Sequence, residues 1–396
     1  MKILAVLPRF PYPLEKGDKL RAYHQLRLLA REHDVYLFCT SHHKPAANHL
    51  DEVRRFCKDV QVVRRGKLQS LAGAVCSFLK GGSLQLGYWN SRRIRSSFAT
   101  FEQRVQPDVI YCQMVRTMPW VKASSTRKVL DYQDALSMNT RRRAEVSKGL
   151  WRAMLKQEAC RLEKAEREAF TLFDQCSIIS SVDRQAITSH QTQGHSCTEQ
   201  RHRPQIAIVP NGIDTDYFAP RDTVKTTDIV FCGNMHYEPN ITAARYLVKS
   251  VMPVVWQRLP GTRVTIAGAS PAPAVRRLAG PQVAVTGWVA DIRSCYSAAR
   301  LFAAPMLSGS GLQNKLLEAM SMGIACITTP IANAPLGAKA GEEIIVCQGE
   351  EETAEAIVRL LTDDALCQRI AAGGRTFVER TYSWEHSGIM ELFNNI

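Results

Sequence analysis

The chain has 396 residues, more than one ordinary domain holds, and its length predicts two domains. Its 45% hydrophobic and 22% charged residues are typical of a soluble globular protein and exclude a disordered or fibrous chain. The formal charge of +14 indicates an anionic partner. Because Lys and Arg are widely spread and no basic-aromatic motif is present, we expect no nucleic-acid partner.

Cysteine usage and the apolar runs indicate the compartment. The twelve cysteines stand singly at uneven spacing, several of them inside apolar runs, as buried reduced thiols do. The first apolar run ends at Pro8, too early for a signal peptide, and no run reaches the ~18–20 residues of a membrane span. The sequence therefore predicts a cytoplasmic protein, whose only membrane contact would be at the inner face of the plasma membrane.

The first half of the chain alternates short apolar runs with helical patterns. The runs predicted as strands are ILAVL (3–7), DVYLFCT (34–40), DVIYC (108–112), KVLDY (128–132), QCSIIS (175–180) and IAIVPN (206–211). Helical spacing lies between them, for example over 19–32 and 93–105. Strands that alternate with helices predict an α/β domain with a parallel sheet covered on both faces.

Two segments of this half carry dense charge beside apolar residues. Residues 54–104 mix Arg and Lys with apolar side chains, and residues 140–171 form the longest helical pattern. Basic amphipathic segments favour anionic lipid surfaces, so peripheral membrane contact is one interpretation of 54–104. A solvated helix face is the other interpretation, and it also accounts for the charged face of 140–171.

A second alternating series follows a polar, turn-rich segment at 214–226. Its predicted strands are DIVFCG (228–233), RVTIAG (263–268), VAVTG (283–287), LFAAP (301–305), IACITT (324–329) and EIIVC (343–347). Two consecutive series predict two doubly wound domains, over 1–215 and 226–378. We expect one last helix in 379–396, begun by Ser383 as its N-cap and packed back toward the N-terminal domain.

The strongest constellation is APMLSGSGLQNKLLEAMSMG, at 304–323. A strand is expected to end at Pro305 and a helix to follow a glycine-rich loop. Backbone amides and the positive end of the helix then converge on one point, which suits a phosphate group. The loop residues predicted to contact it are Gly309, Ser310, Gly311 and Leu312.

Two charged residues follow this loop on one helix face. Lys315 is one turn into the helix and can reach the same phosphates as a point charge. Glu318 lies three residues further and can accept hydrogen bonds from ribose hydroxyls. A surface ion pair is the structural alternative for this pair. We take both as candidate catalytic and donor-binding residues.

The pattern G-S-G-x-x-x-K-x-L-E-A-M-x-x-G resembles the donor-site segment of family 4 retaining glycosyltransferases with the GT-B fold. Three further segments resemble this family in the same order: IVPNGIDTDYFAP (208–220), FCGNMHYEPNITA (231–243) and VTGWVADIRSCYSAARLFAAP (285–305). The N-terminal PRFPYPLEKGDKLRAYHQLRLLA is similar to a subgroup associated with bacterial exopolysaccharide gene clusters. The resemblance covers nearly the whole chain.

The resemblance implies two Rossmann-like domains that face a deep cleft, the first binding the acceptor and the second a UDP- or GDP-type nucleotide sugar. It implies transfer of a hexosyl group with retention to a glycan or lipid-linked acceptor, in exopolysaccharide or cell-surface polysaccharide synthesis. It implies no metal and no cofactor besides the donor substrate. The further donor-binding residues that it implies are Asn211, Gly233, Asn234, Gly268 and Val289.

Gly17 is a separate candidate, because it lies between the first strand and the first helix. Ligands of doubly wound domains bind outside the carboxyl ends of the strands, so Gly17 is expected to contact donor phosphates or the acceptor. A plain turn is the competing interpretation of this single glycine.

The chain departs from the family pattern at three places. Ser310 stands where the first of two donor-site glutamates is common, and the loop 233–239 offers His236 in place of an arginine. Gln133 stands where many members have the histidine of a His-Asp pair. Asp131 or Asp134 is then the candidate that polarises the acceptor hydroxyl. Helix capping by Asp134 or the nearby Ser137 is the structural alternative.

Three other functions remain as alternatives. A GT-B nucleotide-sugar epimerase or phosphorylase would use a similar fold without this combination of motifs. An NAD-dependent oxidoreductase is disfavoured because no G-x-G-x-x-G follows either first strand. A non-catalytic protein that binds nucleotide sugars is the third alternative, given the serine at position 310.

Overall fold

A computed structural model describes most of the chain. The residues that it describes are 1–14, 17–145, 147–188, 205–308 and 312–394. The chain forms two compact units. Unit 1 comprises Met1–Asn211 and Ser387–Ile396, and unit 2 comprises Gly212–His386.

Unit 1 is built on a seven-stranded parallel sheet in the order β3-β2-β1-β4-β5-β6-β7. Its strands are β1 (Lys2–Leu7), β2 (Asp34–Ser41), β3 (Asp59–Arg64), β4 (Val109–Gln113), β5 (Arg127–Asp131), β6 (Gln175–Ile178) and β7 (Ile206–Ile208). β1 and β4 are almost entirely buried, as continuous apolar strands of a parallel sheet must be.

Helices connect the strands of unit 1. They are α1 (Gly17–Leu29), α2 (Ala47–Arg54), α3 (Lys67–Leu79), α4 (Leu84–Trp89), α5 (Arg92–Val105), α6 (Met118–Val121), α7 (Leu136–Glu145), α8 (Gly149–Leu172) and α9 (Ser181–Thr188). A 3₁₀ turn, Val115–Thr117, precedes α6. One face of α5 packs Ile94, Phe98 and Phe101 into a core that includes Phe38 of β2.

Unit 2 is built on a six-stranded parallel sheet in the order β10-β9-β8-β11-β12-β13. Its strands are β8 (Thr227–Cys232), β9 (Val264–Ala267), β10 (Val283–Gly287), β11 (Ala299–Ala304), β12 (Ala325–Thr328) and β13 (Ile345–Val346). Its helices are α10 (Glu238–Tyr246), α11 (Met252–Arg258), α12 (Pro273–Arg276), α13 (Arg293–Ser297), α14 (Asn314–Ser321), α15 (Pro330–Asn333), α16 (Glu350–Thr362) and α17 (Asp364–Tyr382). A π-helical turn, Leu247–Val251, joins α10 to α11.

Each sheet therefore has the strand order of a Rossmann-like fold, which confirms the α/β, doubly wound prediction for both halves of the chain. The order reverses between β1 and β4 in unit 1 and between β8 and β11 in unit 2. In such sheets ligands bind at these switch points, outside the carboxyl ends of the strands. The residues just after these strands are therefore the ones to examine for function.

The structure differs from the sequence predictions at three places. The helical pattern over 140–171 is interrupted between α7 and α8, where Gly149 has a φ of +60° that few other residues adopt. β3 lies inside the segment 54–104 and was not predicted, because its short DVQVVR sequence is interrupted by charged and polar residues and is not a continuous apolar run. The predicted single helix after Ser383 is instead a 3₁₀ turn at Trp384–His386, followed by the four-residue α18 (Glu391–Asn394).

α18 belongs to unit 1. Its Phe393 is buried, and the ring lies 6.3 Å from His33 and 5.8 Å from Tyr111, centroid to centroid. Within the described parts of the chain, no helix is both long and apolar enough to span a bilayer.

Candidate functional site

The switch point of unit 2 brings the predicted donor residues of that unit together. β8 ends at Cys232 and is followed by Gly233, while β11 ends at Ala304 and leads through residues 305–313 to α14. α14 begins at Asn314 and ends at Ser321, and Gly323, two residues later, is left-handed with a φ of +67°. Gly309, Ser310 and Gly311 lie outside the described residues.

Lys315 reaches across this switch point. Its Nζ donates hydrogen bonds to Asn240 Oδ1 of α10 at 2.7 Å and to Gln313 Oε1 at 3.0 Å. The same atom lies 5.6 Å from the centroid of the Phe231 ring. Burial lowers the pKa of Lys315 to about 8, and the charge of Glu318 opposes this shift. At pH 7 the group is therefore mostly an ammonium ion held by neutral amide oxygens.

Glu318 lies one turn further along α14, beside the fully buried Tyr296 of α13. The Tyr296 hydroxyl donates to Glu318 Oε2 at 2.8 Å. Burial raises the pKa of Glu318 to about 7, against the opposing effects of that hydrogen bond and of Lys315. The carboxyl therefore changes protonation near neutral pH, and its ionised form is the one that accepts hydrogen bonds from hydroxyl groups.

Gly233 and Gly268 allow the ends of β8 and β9 to approach closely. A Cβ atom at Gly268, whose φ is +137°, would lie 1.8 Å from the carbonyl oxygen of Gly233. A Cβ atom at Gly233 would lie 2.8 Å from the side-chain nitrogen of Asn240. The same glycines therefore keep Asn240 in reach of Lys315, and a larger residue at either position would displace this arrangement.

The remaining predicted donor residues of unit 2 lie in the neighbouring loops. Asn234 is exposed, and its Oδ1 accepts from the His236 amide at 3.0 Å. Val289 and Leu312 are half-buried, in the loops after β10 and β11. Trp288, which the sequence analysis did not single out, is 74% exposed beside Val289.

Asp131 and Asn211 both accept hydrogen bonds from Arg21 in unit 1. Arg21 donates to Asp131 through Nε at 2.6 Å and Nη2 at 2.9 Å, and both side chains are fully buried. Arg21 Nη1 also donates to Asn211 Oδ1 at 3.0 Å. Asp131 is thus engaged on both oxygens by a guanidinium, the bidentate pairing that carboxylates form with arginine.

Asp134 has a different environment, after β5 and before α7. Its Oδ2 accepts from Asn139 at 3.0 Å, while its Oδ1 is buried without a hydrogen-bond partner among the described residues. Burial raises the pKa of Asp134 to about 6, although Arg116 opposes the shift.

The amides next to α7 do not use Asp134. The amide of Ala135 donates to Asp183 at 3.1 Å, and that of Ser137 donates to Glu166 at 3.0 Å.

Gly17 is the exposed first residue of α1, and a Cβ atom there would meet no other atom within 4 Å. Packing within the described structure therefore does not account for a glycine at position 17.

Sequence analysis missed the partners of the charged residues. Asn240, Tyr296 and Arg21 lie 75, 22 and 110 positions from the side chains that they bind. Each follows or precedes a predicted strand, which was the only available signal.

Across the described ranges, no group of three or more His, Cys, Asp or Glu residues is placed to hold a metal ion.

A known protein family matches part of unit 2. Residues 226–363 match the family described as glycosyl transferases group 1. An uncharacterized 44.6 kDa protein in the cps region of Klebsiella pneumoniae is 23% identical over 399 residues, covering 96% of each chain.

Solved structures share the fold over the full length. HepE of Anabaena in complex with UDP superposes with a TM-score of 0.66 at 14% identity, covering 100% of both chains. Sucrose-phosphate synthase from Thermosynechococcus elongatus gives a TM-score of 0.64 at 14% identity, covering 100% of this chain and 99% of that one. The chain therefore contains a glycosyl transferases group 1 domain over residues 226–363, and its fold is that of the GT-B glycosyltransferase structures.

Proposed function

We propose that this protein transfers a hexosyl group, with retention and without a metal ion, from a UDP- or GDP-sugar to a glycan or lipid-linked acceptor in cell-surface polysaccharide synthesis. The donor would bind unit 2 at the switch point between β8 and β11. The reaction would take place in the cytoplasm, which the seven buried free cysteines among the described residues support.

The observation that carries the proposal is the position of Lys315. Its ammonium group is held at the switch point by two neutral amide oxygens. A cation with neutral ligands at the start of a helix retains its full charge for an anion. A nucleotide diphosphate is the anion that the group 1 domain leads us to expect there.

The relatives support the donor class and the pathway. HepE has been solved with UDP and with UDP-glucose. The Klebsiella relative belongs to a cps region, in line with the exopolysaccharide subgroup that the N-terminal sequence resembles. Trp288, exposed beside Val289, offers an aromatic face against which a base can stack.

The proposed chemistry needs little acid–base assistance from the protein. The bond between the anomeric carbon and the diphosphate oxygen breaks, and a bond from that carbon to the acceptor oxygen forms on the same face. The proton of the acceptor hydroxyl passes to an oxygen of the leaving diphosphate. Lys315 would stabilise the negative charge that develops on this leaving group, and Glu318 would hold the ribose.

On the acceptor side, the structure favours Asp134 over Asp131 as the polarising group. Asp131 is saturated by Arg21, whereas Asp134 has a free oxygen and a pKa raised to about 6. A carboxylate with a raised pKa accepts a hydroxyl hydrogen bond more strongly than an ordinary aspartate does. We therefore propose that Asp134 polarises the acceptor hydroxyl.

A peripheral membrane contact is part of the proposal, and α3 supports it. Leu68, Leu71, Val75 and Leu79 recur at helical spacing on this helix and are all exposed, Leu68 by 85% and Leu79 by 79%. Lys67 and Lys80 flank them. An apolar helix face bordered by lysines suits an anionic lipid surface, where lipid-linked acceptors are found.

Replacement of Lys315 tests the proposal. We expect Lys315→Ala to lower kcat/KM for the nucleotide sugar at least about 100-fold, because charge on the leaving diphosphate loses its counter-ion. Thermal stability should change little, since burial already disfavours the ammonium form in the folded protein. Lys249→Ala, at an exposed lysine of the same unit, is the control. Equal turnover by the Lys315→Ala enzyme would contradict the proposal.

The same assay separates the alternatives. Incubation of wild-type protein with donor alone detects an epimerase, which would produce a new nucleotide sugar without any acceptor. A protein that binds the donor but transfers nothing to any acceptor fraction would be the non-catalytic binder. Release of nucleoside diphosphate that depends on both acceptor and Lys315 is the result that the transferase predicts.

A further inference from the structure

Three arginines of unit 1 surround one indole ring. The guanidinium carbons of Arg65, Arg9 and Arg116 lie 3.7, 5.2 and 5.9 Å from the centroid of Trp89. Arg9 follows β1, Arg65 follows β3 and Arg116 follows β4, so all three stand at the carboxyl edge of the sheet. Arg9 and Arg116 flank the switch point of unit 1.

The three positive charges are poorly compensated. Asp18 pairs with Arg9, and its charge and that of Asp134 also act on Arg116. Arg65 is only 5% exposed, and the hydrogen-bond partners of its side chain are neutral. They are the Tyr88 carbonyl oxygen at 3.3 Å, His42 Nε2 at 2.9 Å and Ser70 Oγ at 3.5 Å. Gathering like charges under these conditions costs stability, and an anionic ligand is the usual compensation.

Two guanidinium atoms of this cluster are also left unpaired in the part of the chain that the structure describes. The Nε atoms of Arg65 and of Arg116 are buried and have no hydrogen-bond partner among the described residues. Burial and the neighbouring Arg9 and Arg116 lower the pKa of Arg65 to about 10. Burial and Arg9 likewise lower the pKa of Arg116. Each guanidinium is thus destabilised by its neighbours as long as no anion is bound.

We infer that unit 1 binds a phosphoryl group of the acceptor, with Arg9 and Arg116 in contact with it and Arg65 as a buried charge behind the Trp89 ring. The inference rests on the proposed function and narrows its acceptor to a phosphorylated one. Arginine is suited to this task because its planar donors pair with phosphate oxygens. Arg116 also lies close enough to Asp134 to lower the pKa of that carboxyl. The acceptor hydroxyl and its phosphoryl group would therefore lie near each other.

Two sources supply this chemistry, a soluble sugar phosphate and a lipid diphosphate. The probes are glucose 6-phosphate and geranyl diphosphate, with glucose and geraniol as neutral counterparts. Binding is measured by calorimetry in the presence of saturating UDP, so that the phosphate site of unit 2 is occupied. We expect at least one phosphorylated probe to bind and neither neutral compound to do so. The tighter probe identifies the source.

Arginine variants assign the site. Arg9→Gln and Arg116→Gln should each weaken binding of the phosphorylated probe about 10-fold, because each removes a charged hydrogen-bond donor. Arg116→Lys, which keeps the charge, should lose less. Arg142→Gln, at an exposed arginine of the same unit, is the control. A circular dichroism spectrum and a thermal midpoint close to those of wild-type protein show that unit 1 of each variant is folded.

The outcomes distinguish this inference from the proposed function. If wild-type protein fails to bind UDP or UDP- or GDP-sugars, the proposed donor site is wrong. If the donor binds but the phosphorylated probes do not, or if they bind equally to Arg9→Gln and Arg116→Gln, the inference about the acceptor is overturned. Loss of probe binding in wild-type protein on addition of UDP would assign the arginines to the donor diphosphate, which also overturns it.

Discussion

Lys315 and Glu318 are both held in surroundings that disfavour their charged forms. Burial lowers the pKa of the one to about 8 and raises that of the other to about 7. Both shifts reduce the stability of the folded protein near neutral pH, where Lys315 is mostly charged and Glu318 is about half ionised. Residues that cost stability in this way are common where a ligand supplies the missing interactions, here the diphosphate and ribose of the proposed donor.

Replacing Glu318 should therefore stabilise the free protein. The pKa of this carboxyl is near the ordinary glutamate value of 4.5 in the unfolded chain and about 7 in the folded protein. The protonated carboxyl therefore contributes stability that is complete below pH 4.5 and is lost as the pH rises to 7, where the group ionises. Glu318→Gln keeps an acceptor for Tyr296 and has no such loss. We expect the thermal midpoint of the variant, relative to wild type, to rise between pH 5 and pH 8, while its affinity for the nucleotide sugar falls.

Thermal melts at the two pH values check this expectation. Glu355→Gln, at an exposed glutamate of the same unit, is the control and should show no such trend. A relative midpoint for Glu318→Gln that is constant or lower at pH 8 would show that Glu318 is not destabilised by burial.

The sequence singled out Lys315 and Glu318 as candidate donor residues but did not predict their environment. The spacing of Lys315 and Glu318 follows from one helical turn and can be recognised locally. The difference between Asp131 and Asp134 cannot, because it depends on Arg21, which is 110 residues away from Asp131. Asp134 keeps its free oxygen only because residues of other elements, Asp183 and Glu166, bind the amides around the start of α7.

At the scale of the elements, the close approach of the loops after β8 and β9 restricts the choice of residue most strongly, because it requires glycine. The amide of Gly233 donates to Ala267 at 3.0 Å, and the amide of Gly268 donates to Gly287 at 3.1 Å. These hydrogen bonds extend the sheet register past the ends of the strands. They leave no room for a side chain on Gly268, whose backbone is also left-handed.

Gly268→Ala should accordingly destabilise unit 2 by more than about 2 kcal/mol, since either the carbonyl of Gly233 or the strand end must move. Chemical denaturation measures the change. Gly261→Ala introduces a methyl group into open space in a neighbouring turn of the same unit and should have an effect below about 1 kcal/mol. Similar losses in the two variants would rule out the close approach as the cause.

Strands with continuous apolar sequences could be predicted from the sequence. Elements whose sequences mix polar and apolar residues, or whose ends depend on a single residue, were harder to predict. β1, β2, β4 and the central strands of unit 2 are buried on both faces, and their sequences show it. β3 lies at the edge of its sheet and is largely half-buried, so its sequence includes polar residues and forms no continuous apolar run. The break between α7 and α8 depends on one glycine within an otherwise helical pattern.

For the whole molecule, the charge excess resides in unit 1. That unit carries 35 Lys and Arg against 20 Asp and Glu, a formal +15, whereas unit 2 carries 16 against 17, a formal −1. The proposed donor site of unit 2 therefore does not account for the basic character of the chain. The proposed phosphoryl site and the lysines that flank α3 hold only part of this surplus, and both would bind anions.

Co-sedimentation with liposomes tests the contribution of α3. Wild-type protein should bind vesicles containing phosphatidylglycerol at low salt and dissociate at high salt, and should bind neutral vesicles weakly. The double variant Leu68→Ser/Leu79→Ser should bind the anionic vesicles about 10-fold more weakly, because two exposed apolar side chains are removed.

Leu150→Ser changes an exposed leucine outside α3 and is the control for this measurement. Failure of wild-type protein to bind anionic vesicles at low salt would remove the membrane contact from the proposal. Undiminished binding of the double variant would assign the contact to another surface.

The placement of α18 in unit 1 has a consequence for biosynthesis. The ribosome makes a chain from its N-terminus, and domains generally fold as they emerge. Unit 2 is one continuous segment, Gly212–His386, whereas unit 1 obtains Phe393, the neighbour of His33 and Tyr111, only after all of unit 2 has been made. The first unit to be started is therefore the last to be completed, and a chain stopped at residue 386 would leave His33 and Tyr111 without this cover.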